Sequence, residues 1–142
     1  MSAPGALPER RRLALHRRVT PLAAVAVARG LARLRPKRLR LVLERVRAGA
    51  RPATSVEALA ARDAVVSVSL RCAGEQGCLQ RSIATALLCR LRGTWPTWCT
   101  GVRTAPFSAH AWVEVGGAPV GEPFPAGYYR RLLAVPPADA AN

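Results

Sequence analysis

A thiolate is the strongest nucleophile a protein side chain offers near neutral pH, and it needs an imidazole or a positive field beside it to form. The chain has four cysteines, Cys72, Cys78, Cys89 and Cys99, and two histidines, His16 and His110. Cys78 opens an apolar run with helical spacing. In the first turn of such a helix a sulfur meets the partial positive charge of unpaired N–H groups, which favours the anion. His110 follows 32 residues later in the alternating stretch Ala109-His110-Ala111-Trp112-Val113-Glu114-Val115, whereas His16 stands among arginines. Strand pairing over that stretch would hold the imidazole in place for a Cys–His pair.

A third group should orient the imidazole and stabilise its protonated form. Gly116-Gly117 reads as a hairpin turn between strands over 109–115 and 118–121, so facing positions sum to about 233. Position 122–123 then faces 110–111, which selects Glu122 over Glu114 as the acid. Alternation places His110, Trp112 and Glu114 on one face, with Trp112 available to keep water from the imidazole. The Cys78 backbone N–H would hold part of an oxyanion, and Gln76 is a candidate second donor. Spacing alone leaves a structural alternative open, with Cys78 an inert thiol, His110 a satisfied core histidine and Glu122 a loop carboxylate.

The other cysteines carry less chemistry. Gaps of 6, 11 and 10 residues contain no C-x-x-C, and no histidine completes a zinc pattern, so neither a metal nor a cofactor is expected. Cys89, about three helical turns beyond Cys78, and Cys99, beside Trp98, read as core thiols.

Several elements must position these residues. Thr20-Pro21 predicts a helix start, with Leu22, Val25, Ala26, Leu31 and Leu34 as its buried stripe to about residue 35. A second helix is expected over 37–48, with Leu39, Val42, Leu43 and Val46 inward and Gly49 as its stop. Ser55 would cap a third over 56–71, although the β-branched alternation of 65–70 also suits a strand. The Cys78 helix should run to Arg92, with Leu79, Ile83, Ala86, Leu87 and Leu91 inward and Gly93 closing it. Strands over 98–102, 109–115 and 118–121 make an antiparallel meander, with a last element near Tyr128-Tyr129 and Leu132-Leu133. The first eight residues, with Pro4 and Pro8, read as a frayed terminus.

Charge is unevenly spread. Residues 1–51 hold 14 of the 22 Lys+Arg and 2 of the 8 acids, leaving only +2 of the +14 net charge for residues 52–142. The basic helices suit an acidic partner or an anionic membrane surface, and equally a solvated exterior. A basic nucleic-acid-binding or membrane-surface module without catalysis is therefore the alternative function. It has no zinc finger and only seven aromatic residues to offer for base stacking, so no nucleic acid is expected as partner. No run of about 18 apolar residues is present, and no clean signal-cleavage site follows residues 19–28, which predicts a cytoplasmic protein.

Cys78-Leu79-Gln80-Arg81-Ser82, Arg90-Leu91-Arg92-Gly93, Gly101-Val102 and Pro106-Phe107-Ser108-Ala109-His110-Ala111-Trp112-Val113-Glu114 together resemble one family. It is the lasso-peptide leader peptidase, a transglutaminase-like cysteine protease, and the resemblance spans about residues 70–135. It implies an α+β fold: N-terminal helices, then a papain/transglutaminase-like core of a Cys-bearing helix packed on a small antiparallel sheet. The expected organisation is a basic helical region over 1–70 within the same compact unit, a peptidase core over 71–136 and a tail over 137–142. The resemblance also implies leader removal from a ribosomally made precursor peptide by a Cys-His-Asp triad. Cys78 and His110 match the nucleophile and base, and Glu122 stands where the family usually has aspartate. The implied partners are the precursor peptide, a separate leader-recognition protein and an ATP-dependent macrolactam cyclase. The N-terminal third reads as helices with no strand pattern for a recognition domain, so the split form is expected, with the basic helices as docking surface or membrane contact.

Overall fold

A computed structural model describes residues 15–138. The chain runs α1 (Leu15–Leu31), α2 (Pro36–Val46), β1 (Arg51–Pro52), α3 (Ser55–Val68), α4 (Leu70–Ala73), a 3-10 turn (Glu75–Gly77) and α5 (Cys78–Leu91). Five strands follow: β2 (Thr94–Trp95), β3 (Thr97–Arg103), β4 (Ser108–Val115), β5 (Ala118–Pro119) and β6 (Arg130–Val135). This is the α+β architecture expected, helices first and then a small antiparallel sheet.

From Arg81 to Cys89 every residue of α5 is buried. A helix covered on all sides sits at the centre of its fold. Here α1 and α3 pack on α5 from one side and β4 from the other, and one apolar cluster extends from Ala24 to Val135. The basic N-terminal helices and the cysteine-bearing half therefore share a core. Leu91, expected inward, is 61% exposed as the last residue of α5, past the stretch that the fold buries.

The first helix passes through Thr20-Pro21 rather than starting there. An interior proline forfeits one i to i−4 bond, and here its ring is buried against the core in exchange. The buried stripe is Pro21, Ala24, Val25 and Ala28, while Leu22 is 48% exposed and Ala26 faces solvent. Small side chains let α1 close on α5, and close approach outweighs the larger apolar area of leucine. The frayed stretch expected for the first eight residues, and residues 139–142 of the expected tail, lie outside the described residues.

The third helix is capped one residue before Ser55. Thr54 Oγ1 accepts from the Glu57 amide at 3.2 Å while Glu57 Oε1 accepts from the Thr54 amide at 3.0 Å, a reciprocal capping box. The β-branched residues Val65 and Val66 are buried as helix, not strand. Ser69 then turns extended (φ −135°, ψ 115°) and its hydroxyl caps α4, so the single helix expected over 56–71 is two.

Strand order in the sheet is β5-β4-β3-β6. Glu114 faces Pro119 and Val115 faces Ala118, which is the expected register. The ladder ends sooner than expected: Pro119 has no N–H to donate, and only the Val120 amide bond to the Val113 carbonyl (2.9 Å) extends it. The meander covers three strands, after which β6 crosses to pair antiparallel with the far edge of β3. A short parallel bridge between β1 and β2, absent from the sequence reading, ties the entry of α3 to the exit of α5. Among the described residues no helix is long and apolar enough to cross a membrane.

Candidate active site

Cys78 is delivered to the sheet by a tight backbone contact. A Cβ built on the buried Gly77 would lie 1.8 Å from the Arg71 carbonyl oxygen, so only glycine lets the turn close against α4. Cys78 then starts α5, half-buried, with its thiol against the His110 side chain and the Ala111 backbone of β4.

His110 Nε2 lies 3.4 Å from Glu122 Oε2, with the His110 side chain 16% exposed and the Glu122 side chain 4%. The contact is an ion pair rather than an aligned hydrogen bond, since Nε2 satisfies no hydrogen-bond geometry. With Nε2 given to the carboxylate, Nδ1 remains as the ring atom for the thiol. Glu122 stands past the end of the β4–β5 ladder, carried there by residues 120–122 after strand pairing stops.

Two opposed effects act on each partner. Burial raises the Cys78 thiol, yet its contacts with His110 and the Ala111 backbone, with the positive charges of His110 and Arg81, bring it below its ordinary value. Burial lowers His110, but its contacts with Cys78 and Glu122 and their charges carry it up to about 9. Both directions favour thiolate with imidazolium. The other thiols go the opposite way: burial raises Cys72, pushes Cys89 up to about 11 and Cys99 up to about 12. Only Cys78 is both tuned toward the anion and less than fully buried.

Behind Glu122 stands Arg81, one turn after Cys78 on α5. Its side chain is 9% exposed, its guanidinium is 3.8 Å from Glu122 Oε1, and it donates to the carbonyls of Cys72 (3.0 Å) and Gly74 (3.3 Å). Burial depresses Arg62 and the charge of Glu122 partly restores it, so a second arginine shares that carboxylate's field. Cys78, His110, Glu122 and Arg81 thus form a chain of alternating charge through the base of the sheet.

Glu114 is committed elsewhere. It accepts from Trp112 Nε1 at 3.0 Å and from Arg131 at 2.6 Å. Trp112 is buried with its ring stacked 6.1 Å from that of His110, and Tyr129 and Phe124 contact the imidazole at 5.2 Å each, stacked and edge-on. Opposite His110, Gly101 makes room for this cover, because a Cβ there would meet the Arg130 carbonyl at 2.5 Å and the Trp112 ring at 2.9 Å. Cys78 and His110 open on an apolar cleft of about 300 Å³, walled by Leu34 and Leu39 on the helical side and Leu132 and Leu133 of β6 on the other. Gln76 lines a separate pocket, away from that cleft.

The sequence reading missed Arg81, Arg62, Phe124 and Tyr129. For Arg81 a signal was present, an arginine inside a helix otherwise small and apolar from Ile83 to Cys89. For Phe124 and Tyr129 none was, since irregular backbone brings them over the sheet.

No curated protein and no solved structure matches the chain. A family model described as the transglutaminase-like superfamily matches residues 21–134, beginning within α1 and ending within β6. The match takes in the basic helices as well as Cys78, His110 and Glu122. The chain belongs to the transglutaminase-like superfamily, whose members include cysteine proteases and transferases.

Proposed function

We propose that the protein is a cysteine peptidase that removes the leader from a ribosomally made precursor peptide in the cytoplasm, as in lasso-peptide biosynthesis. The observation that carries this reading is the ion-paired constellation at the mouth of an apolar cleft: a depressed Cys78 thiol, a raised His110 and the buried Glu122. The Cys78 thiolate attacks the scissile carbonyl, and the oxyanion sits at the start of α5, where the Cys78 amide and the helix field oppose its charge. Collapse expels the amine, which takes its proton from His110, and leaves a thioester. His110, now neutral, removes a proton from water, and hydroxide attack on the thioester releases the acid and returns the proton to the pair. Glu122 keeps the imidazole oriented and stabilises its charge in both halves of the cycle. The cover of Trp112, Tyr129 and Phe124 keeps bulk water from the imidazole.

The resemblance of the Cys78–Ser82 and Pro106–Glu114 stretches to leader peptidases supplies the substrate class. Substrate delivery by a separate leader-recognition protein, followed by an ATP-dependent macrolactam cyclase, belongs to the same proposal. On α2 and its C-cap, Arg40 pairs with Glu44 at 3.3 Å and Arg47 donates to the Pro136 carbonyl at 2.7 Å, which leaves Lys37, Arg38 and Arg45 as the exposed charges for docking. The test is incubation of precursor and leader-recognition protein with wild type, Cys78→Ala and Cys78→Ser, read by mass spectrometry. Cleavage by wild type alone is expected, and cleavage persisting in both variants refutes the assignment of Cys78.

A further inference from the structure

A second pocket, of about 280 Å³, lies on the helical side of Leu79, and Leu79 also lines the cleft that holds Cys78. Three arginines line it: Arg29 at the end of α1, Arg33 in the turn beyond, and Arg71 on α4. Among the described residues no carboxylate lies within ion-pair distance of any of the three, although six ion pairs form elsewhere. Cations near helix ends are ordinary companions of the last carbonyls. That accounts for Arg29 and Arg71 singly but not for three arginines, two from the end of α1 and its turn and one from α4, lining one cavity. Like charges so placed repel unless an anion joins them.

The remaining lining narrows the ligand. Gln76 and Gln80 add carboxamides, and the Gln80 Oε1 atom is buried without a hydrogen-bond donor. A buried acceptor left unmatched costs free energy, so the Gln80 carboxamide loses little by turning toward the pocket and gains a ligand's hydrogen-bond donor there. The pocket therefore suits an anion that brings a hydrogen-bond donor, and the Leu79 wall it shares with the Cys78 cleft points to an acidic residue within a peptide, whose backbone N–H is that donor. Its floor is already in place, since Gly77 closes against the Arg71 carbonyl and fixes the turn that carries Gln76.

We propose that this pocket binds the carboxylate of an acidic residue in the peptide that Cys78 cleaves, with Arg33 and Arg71 gripping the carboxylate and Gln80 accepting from the adjoining backbone N–H. The identity of that peptide rests on the peptidase reading above; the pocket's demand for an acidic residue does not. Leu79 separates the two sites, so the acidic residue lies to one side of the scissile bond and sets the register of the peptide across Cys78.

The experiment uses blocked tetrapeptides of alanine and leucine, with a single Glu walked through the four positions and Gln counterparts for each. Their protection of Cys78 against iodoacetamide is read by mass spectrometry on the full chain, independently of any cleavage. At one position Glu should protect at about tenfold lower concentration than Gln, the size of one charge-assisted contact at a partly open site. That preference should vanish in Arg33→Gln and in Arg71→Gln, and persist in Arg92→Gln, which alters the net charge equally at the far end of α5. Equal protection by Glu and Gln peptides, a preference surviving both pocket variants, or equal protection by inorganic phosphate overturns the proposal. The precursor cleavage assay with Cys78→Ser judges the peptidase reading separately, so either can fail without the other.

Discussion

Replacing Glu122 by Gln keeps the shape of the side chain and removes the charge facing His110. Two unit charges 3.4 Å apart attract by about 5 kcal/mol at an effective dielectric near 20, before the cost of burial is subtracted. The net rise of His110 from 6.5 to about 9 corresponds to about 3 kcal/mol, shared between Cys78 and Glu122. Loss of the Glu122 share should therefore lower the imidazolium by about one pH unit. Alkylation of Cys78 by iodoacetamide against pH reads this directly, because thiolate paired with imidazolium reacts differently from free thiolate. The upper inflection should fall from about 9 toward about 8 in Glu122→Gln, with NMR of the imidazole nitrogens following it. Stability gives a second reading. His110 titrates higher when folded, so its contribution is whole below 6.5 and is lost as pH rises through about 9. Cys78 has the opposite sign, contributing above its ordinary value of 9 and losing that contribution as pH falls through its lowered one. The gap in Tm between wild type and Glu122→Gln should accordingly be widest near pH ~6 and narrow toward ~9. An alkylation profile for Glu122→Gln that superimposes on wild type, inflection included, refutes the role given to this carboxylate.

Arg81→Met should cost about 3 kcal/mol or more in chemical denaturation, because it strips a buried carboxylate of its partner and two carbonyls of their donor. Arg81→Lys should recover only part of that, since one ammonium cannot span the same three acceptors; full recovery would mean charge alone matters there. Gly77→Ala places a Cβ 1.8 Å from the Arg71 carbonyl, so the turn must shift and Cys78 alkylation should lose its low-pH reactivity even where the protein stays folded. Unchanged alkylation would show that the turn does not fix the thiol. Thr54→Ala removes one half of the α3 capping box and should lower stability by about 1 kcal/mol with no effect on the Cys78 pH profile; a changed profile would show that the cap itself, about two turns before Arg62, holds the site.

Sequence alone carried whatever depends on near neighbours along the chain. The run from Cys78 to Leu91 is helical by its own periodicity, and the hairpin across Gly116-Gly117 sets its register through turn geometry, so the approach of Glu122 toward His110 could be read by counting. Local patterns failed where packing competed with them. Alanines rather than Leu22 face α5 because helix proximity outweighs side-chain area, and the third helix breaks at Ser69 because its hydroxyl caps a new turn. Only the tertiary structure brought Arg81 behind Glu122, β6 beside β3, and the aromatic residues of 124–129 over the imidazole. Those contacts join segments with no shared periodicity, through irregular backbone that leaves no repeating mark in the sequence. A single chain therefore displays its candidate nucleophile and base as residue types at a spacing, while the charges and rings that tune them exist only once distant segments meet.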